Sequence, residues 1–196
     1  MVTRSLLALF SGLMVVAATA SDDGPSYSCA KVEAGSIEAL VCGDAALSAL
    51  DRQLAVVYQA ATAKAVNQQP PLPKAERRGW LKGRDDCWKS SDVASCVASE
   101  YRQRIASLQA RYQLVSGRGP ISYRCDPPAG GEVIATFYAT EPASLVAERG
   151  DQVSLMLLQA DGKSYLGRNE TLAEVAGGVT VTWGYGEAPM SSRSQP

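Results

Sequence analysis

The chain has 196 residues, of which 46% are hydrophobic and 20% charged, with a net charge of −1 and no histidine. That length holds one domain or two small ones, in a composition typical of a globular protein. Without imidazole, Ser-His-Asp and Cys-His catalysis and any histidine-dependent zinc site are excluded.

Residues 1–20 have the pattern of a secretory signal peptide. Arg4 supplies the charged start, Leu6 to Ala18 is apolar except for Ser11 and Gly12, and Ala18-Thr19-Ala20 is a small-x-small cleavage site. The mature chain is expected to begin at Ser21 and to be periplasmic or secreted. The apolar run is too short for about 30 Å of hydrocarbon. No other stretch is apolar enough, so no stable membrane insertion is expected after cleavage. No cysteine closely follows the run, which argues against lipid attachment there. In an oxidising compartment Cys29, Cys42, Cys87, Cys96 and Cys125 read as a disulfide framework. Spacing does not fix the connectivity. Short local loops favour Cys29–Cys42 and Cys87–Cys96, which leaves Cys125 unpaired. The gaps do not match zinc-ribbon spacings, so a metal is a weak alternative and no cofactor is expected.

A short helical segment follows Cys29, with Ile37, Leu40 and Val41 apolar, and Gly43-Asp44 ends it. Asp44 is placed to cap a long helix, in which Leu47, Leu50, Leu54, Val57, Tyr58, Ala61 and Ala65 recur at helical steps. Asn67 to Pro73 is a turn, because proline cannot continue a helix. A second helix is predicted from about Lys74 to Trp88. A third begins after Asp92, its face made of Val93, Val97, Tyr101, Ile105, Leu108 and Tyr112. Three such helices, two of them joined at Cys87–Cys96, form a small helical domain over 21–115.

Ser116-Gly-Arg-Gly-Pro120 reads as a linker, and beyond it the periodicity alternates. Strands are predicted at 121–125, 132–138, 144–148, 152–158, 163–166, 170–174 and 179–183. Pro127 to Gly131, Arg149 to Asp151, Asp161-Gly162 and Gly177-Gly178 supply the turns. Asp-Gly between apolar runs is a strong hairpin signal. Short strands with tight turns predict a small antiparallel barrel or sandwich over 121–190, with 184–196 loose and 191–196 a tail. The fold class is therefore α+β, helices first and a small antiparallel β part second. Residues 21–118 carry thirteen Lys/Arg and eleven Asp/Glu, whereas 119–196 carry five and nine. The acidic second half suits a basic partner. No basic stripe with interleaved aromatics exists, so nucleic acid is not an expected partner.

The most informative stretch is Trp80 to Leu108. Trp80, Leu81, Arg84, Asp85 and Cys87 place an aromatic, a charge pair and a thiol on neighbouring turns, and Cys96, Tyr101, Arg104, Ile105 and Leu108 follow. Trp80 reads as a core anchor and Arg84–Asp85 as a structural ion pair. Adjacent Asp85 and Asp86 do not face each other as a catalytic pair would. With Cys29, Cys42 and Leu47-x-x-Leu50-Asp51-x-x-Leu54-x-x-x-Tyr58, these motifs make residues 29–112 resemble the N-terminal domain of the LprI family of exported bacterial proteins. Arg78 departs from the family's usual glutamine. The resemblance implies a helical domain with two local disulfides.

Tyr123-Arg-Cys125, Phe137 and Asp161-Gly162-Lys163-Ser164-Tyr165 make the second half similar to the MliC and PliC inhibitors of C-type lysozyme, which are small antiparallel barrels. This chain departs in three places. Asp161 stands for the family's loop serine, Glu174-Val-Ala-Gly177 for W-x-K-G, and no cysteine after Cys125 can close the barrel's disulfide. The resemblance implies a non-enzymatic inhibitor that blocks the cleft of a C-type lysozyme with the Asp161–Tyr165 loop. A C-type lysozyme works with two carboxylates, which Asp161 would repel and Lys163 and Ser164 could meet. The alternative is an envelope-associated binding module of the periplasm whose barrel no longer inhibits.

Overall fold

The computed structural model describes residues 24–67, 72–126 and 130–195. The expected signal peptide, part of the proline-rich turn before the second long helix and Pro127-Pro128 lie outside the described residues. Four α-helices come first: α1 (Ile37–Gly43), α2 (Ala45–Lys64), α3 (Leu72–Asp85) and α4 (Val93–Arg111). Three match the predicted helices, and the segment after Cys29 is a 3-10 turn at Cys29–Lys31 followed by the short α1. Caps set the helix starts. Ser36 Oγ accepts from the Ala39 N–H in α1. Asp44 Oδ1 accepts from Ala46 and Leu47 at 2.8 and 3.0 Å, and Asp92 Oδ1 accepts from Ser95 at 3.0 Å. Each satisfies helix N–H groups that have no partner inside the helix.

The helical core joins Val41 of α1, Leu47, Leu54 and Ala61 of α2, and Val97, Tyr101, Ile105 and Leu108 of α4. Both favoured disulfides are present. Cys29–Cys42 ties the 3-10 turn to α1, and Cys87–Cys96 ties a second 3-10 turn after α3, Asp86–Lys89, to α4, with Cα–Cα distances of 6.0 and 5.7 Å.

Eight strands follow: β1 (Gly117–Cys125), β2 (Glu132–Tyr138), β3 (Ser144–Arg149), β4 (Gln152–Leu158), β5 (Ser164–Leu166), β6 (Glu170–Val175), β7 (Gly178–Trp183) and β8 (Met190–Ser194). They form a closed barrel in chain order, every neighbouring pair antiparallel, β1 with β8 included. Alternate residues point inward, so Val133, Ala135 and Phe137, Leu145 and Ala147, and Val179, Val181 and Trp183 fill the interior.

Two expectations are corrected here. The stretch expected to be loose contains β8, which closes the barrel. The stretch read as a linker contains the start of β1, where Gly117 and Arg118 pair with Tyr138 and Phe137. Closure also answers how the barrel does without a second cysteine. Cys125 pairs in register with Ser192 of β8, and the buried Ser192 hydroxyl donates to the Cys125 sulfur at 2.6 Å. Gly178 is required beside this seam, because a Cβ there would lie 2.2 Å from the Ser192 carbonyl oxygen.

The helical part packs on the barrel through α4 against β3 and β4. Ser99, Gln103, Ala106 and Ala110 form a stripe at helical steps on a second face of α4. Ala106 and Ala110 are fully buried yet stand outside the helical core. Ser99 and Gln103 border a crevice whose other wall is Pro142 and Leu157 to Ala160 of the barrel.

Candidate functional site

The Asp161–Tyr165 loop joins β4 to β5 at the end of the barrel where β1 begins. Its shape follows from its sequence. The Gly162 N–H donates to the Gln159 carbonyl at 3.0 Å, and Gly162 has φ +69°, a conformation that suits glycine. Asp161 Oδ1 accepts from the amides of Lys163 and Ser164 at 3.0 and 2.9 Å, an Asx turn. Bonding from Ser164 and from these two amides holds the Asp161 carboxyl down to about 2. The carboxylate is thus folded onto its own backbone, while Lys163 is exposed and Ser164 half-buried. Tyr165 is buried, its ring edge-on to Phe137 at 5.6 Å. It anchors the loop to the barrel core and offers no free surface.

A second cation stands at the same barrel mouth. The exposed Arg118 guanidinium lies 4.4 Å from the Phe137 ring centroid and 3.7 Å from the Glu174 carboxylate. Glu174 in turn donates its backbone N–H to the Lys163 carbonyl at 3.2 Å. Lys163, Glu174 and Arg118 therefore form one charged rim. Sequence reasoning missed Arg118 because it sits between two glycines in a stretch that reads as a linker.

The motif residues of the helical part converge around Arg84, which is only 2% exposed. Arg84 donates to Glu38 and to Asp85 Oδ1, and to the Tyr101 hydroxyl at 3.1 Å. The Tyr101 hydroxyl donates to Asp51 Oδ1 at 2.9 Å. Burial alone would lower the Arg84 pKa, but its bonds to Asp85 and Tyr101 outweigh that and raise it. Burial pushes the Tyr101 phenol up. Trp80 packs edge-on against Tyr101 at 5.2 Å, and its indole N–H donates to the Glu100 carbonyl at 3.3 Å. Arg104 turns away to Glu76 at 3.4 Å. Trp80, Arg84, Asp85 and Tyr101 are thus one cluster, and Arg104 belongs to a neighbouring one. Among the described residues no group of three or more Cys, Asp or Glu is arranged to hold a metal ion.

A disulfide-tied helical unit seated on a closed eight-stranded barrel defines an α+β protein of two joined parts. The family described as Lysozyme inhibitor LprI matches residues 29–108. The Lipoprotein LprI of Mycobacterium bovis and that of Mycobacterium tuberculosis are each 31% identical to this chain over 150 residues, 75% of this chain and 74% of the relative. The chain belongs to the LprI family. A match of that length exceeds everything before β1 and so extends beyond the helical unit. No solved structure matches the chain.

Proposed function

We propose that this protein is an exported, non-enzymatic inhibitor of C-type lysozyme and that the barrel rim at Asp161–Tyr165 enters the enzyme's cleft. The observation that carries the reading is membership in a family described as lysozyme inhibitors, joined to a barrel that presents an ordered, charged loop. The closed antiparallel barrel is the architecture that an MliC-type inhibitor requires. The Asx turn lessens the objection to Asp161, because the loop's own amides bond one oxygen of its carboxylate. Lys163 is then the group that meets the two catalytic carboxylates of a lysozyme. Arg118 supplies a second cation where the W-x-K-G lysine is missing. Cation and carboxylate attract strongly in a cleft cleared of water.

Export is part of the same reading, in keeping with relatives that are named lipoproteins. The first cysteine after the apolar run, Cys29, is held in a disulfide with Cys42, so its sulfur is not available to a lipid. The described residues contain no helix long and apolar enough to cross a membrane.

The test is a lysis assay with the mature protein and a C-type lysozyme. Inhibition that rises with protein concentration is expected. Lys163→Ala should weaken it by about tenfold or more, the scale of truncating one member of an interfacial charge pair. The wild-type melting temperature should be kept, since Lys163 is exposed. Full lysozyme activity at a molar excess of the protein overturns the proposal, and an undiminished Lys163→Ala moves the site off this loop.

A further inference from the structure

The helical part contains an open cavity of about 410 Å³, lined by its own helices and by Ser26 and Tyr27 before them. Its volume is within the range of small-ligand sites. Leu54 of α2 and Leu81 of α3 supply apolar wall, and Tyr58 and Trp80 supply aromatic faces. Three guanidiniums line it, Arg77 and the already bonded Arg84 from α3 and Arg104 from α4.

Charge is distributed unequally around this cavity. The carboxylates on one side are already met within the protein. Glu38 is bonded to Arg84. Asp51 Oδ1 accepts from Tyr101 at 2.9 Å, and its Oδ2 accepts from the Ser26 N–H and hydroxyl at 2.7 and 2.6 Å. Around Arg104 and Arg77 the imbalance is reversed. Glu76 serves both Arg104, at 3.4 Å, and Arg111, at 2.5 Å. The Arg77 guanidinium has no carboxylate partner among the described residues and rests over the Tyr58 ring, 5.5 Å from its centroid. Arg104 and Arg111 therefore share one carboxylate, and Arg77 has none, beside an apolar and aromatic wall.

We propose that this cavity binds a small carboxylate carried on an apolar body, the carboxylate at Arg77 and Arg104 and the body against Leu54, Tyr58 and Trp80. A guanidinium bonds a carboxylate through paired N–H donors, and an aromatic wall covers apolar surface with little loss of side-chain freedom. Such a group is found on a free acylated amino acid and at the C-terminus of a peptide. The inference stands apart from the lysozyme reading, since it concerns the other half of the molecule.

The test is an NMR titration of the full mature protein that follows the Trp80 indole N–H, assigned by its loss in Trp80→Phe. The probes are N-acetyl-leucine, its uncharged amide, and a tripeptide ending in leucine with a free or an amidated C-terminus. Saturable shifts are expected for the two acids, with the amides weaker by about tenfold, the scale of losing one charge-assisted contact. Arg77→Gln should weaken the acids by a similar factor and leave the amides unchanged. That pattern separates contact with the carboxylate from a change in folding. Tighter binding of the tripeptide identifies a peptide C-terminus as the source, and tighter binding of N-acetyl-leucine a free acid. Absence of saturable shifts, equal binding of acids and amides, or an unaffected Arg77→Gln overturns the proposal.

Discussion

The two halves of this protein hold themselves together by opposite means. The helical part is small and unable to bury a large apolar core, so it adds two disulfides and a buried polar network. In that network Arg84 joins α1, α3 and α4 through Glu38, Asp85 and Tyr101. The barrel has no disulfide and an almost wholly apolar interior, and closure by backbone pairing of β1 with β8 leaves no open sheet edge. Where the barrel does bury polar atoms beside a free thiol, at Ser192 and Cys125, the two satisfy each other. A buried charge network resists change because every member needs the others. A closed barrel tolerates the loss of a staple because its ladder is already complete.

The sharpest way to break that contrast is Arg84→Ala. Glu38, Asp85 and Tyr101 would lose their shared partner. Breaking a fully buried charge pair costs about 3–5 kcal/mol, and because Glu38 and Asp85 keep access to solvent the expected loss here is smaller, about 2–3 kcal/mol. Urea unfolding followed by circular dichroism should show the helical signal lost at much lower denaturant while the barrel signal moves less. A change below about 1 kcal/mol would mean that the cluster is better solvated than its 2% exposure of Arg84 implies.

The converse experiment adds to the barrel the kind of staple that the helices have. Ser192→Cys places a thiol in register with Cys125. Directly opposed residues in an antiparallel pair lie about 4.5–5.5 Å apart, within the disulfide range. A bridge closing a loop of this length should stabilise the barrel by about 2–4 kcal/mol. The gain should vanish with reductant. Persistence of two free thiols under oxidising conditions would show that the seam's geometry is wrong for a bridge.

The same contrast explains what could be read from the sequence. The helical half is legible because its signals are local. Asp44 and Asp92 stand at the caps, the apolar steps of α2 and α4 mark their faces, and each cysteine pair closes a short loop. Most of the barrel is legible through alternation and the Asp161-Gly162 turn. Its closure is not, because β8 reads Met-Ser-Ser-Arg-Ser and its inward residue opposite Cys125 is a serine. Gly117 and Pro120 likewise hide the start of β1, and Arg118 with it. The second face of α4 escapes because Ala106 and Ala110 carry little weight in an apolar pattern, although small side chains are what let the helix approach the barrel. The candidate loop shows its turn in the sequence. That Asp161 would fold onto its own amides while Tyr165 turned inward depends on backbone geometry that residue types alone do not specify.

That geometry makes the last and smallest prediction. Asp161 is fully exposed, so its titration should hardly move global stability and should instead be visible within the loop. Bonds from Ser164 and from the Lys163 and Ser164 amides hold its carboxyl at about 2, below the value near 3.9 of an unfolded aspartate. A depressed folded value means that the ionised turn is favoured at any pH above about 4, and that this preference is lost as the pH falls through about 2. The amide shifts of Lys163 and Ser164 should therefore titrate together with a midpoint near 2, and Asp161→Asn should flatten both curves. A midpoint near 4 would mean that the carboxylate is free of its amides and points toward solvent. In that case the loop would carry an unmet negative charge into any lysozyme cleft, and Lys163 could not act there without first offsetting it.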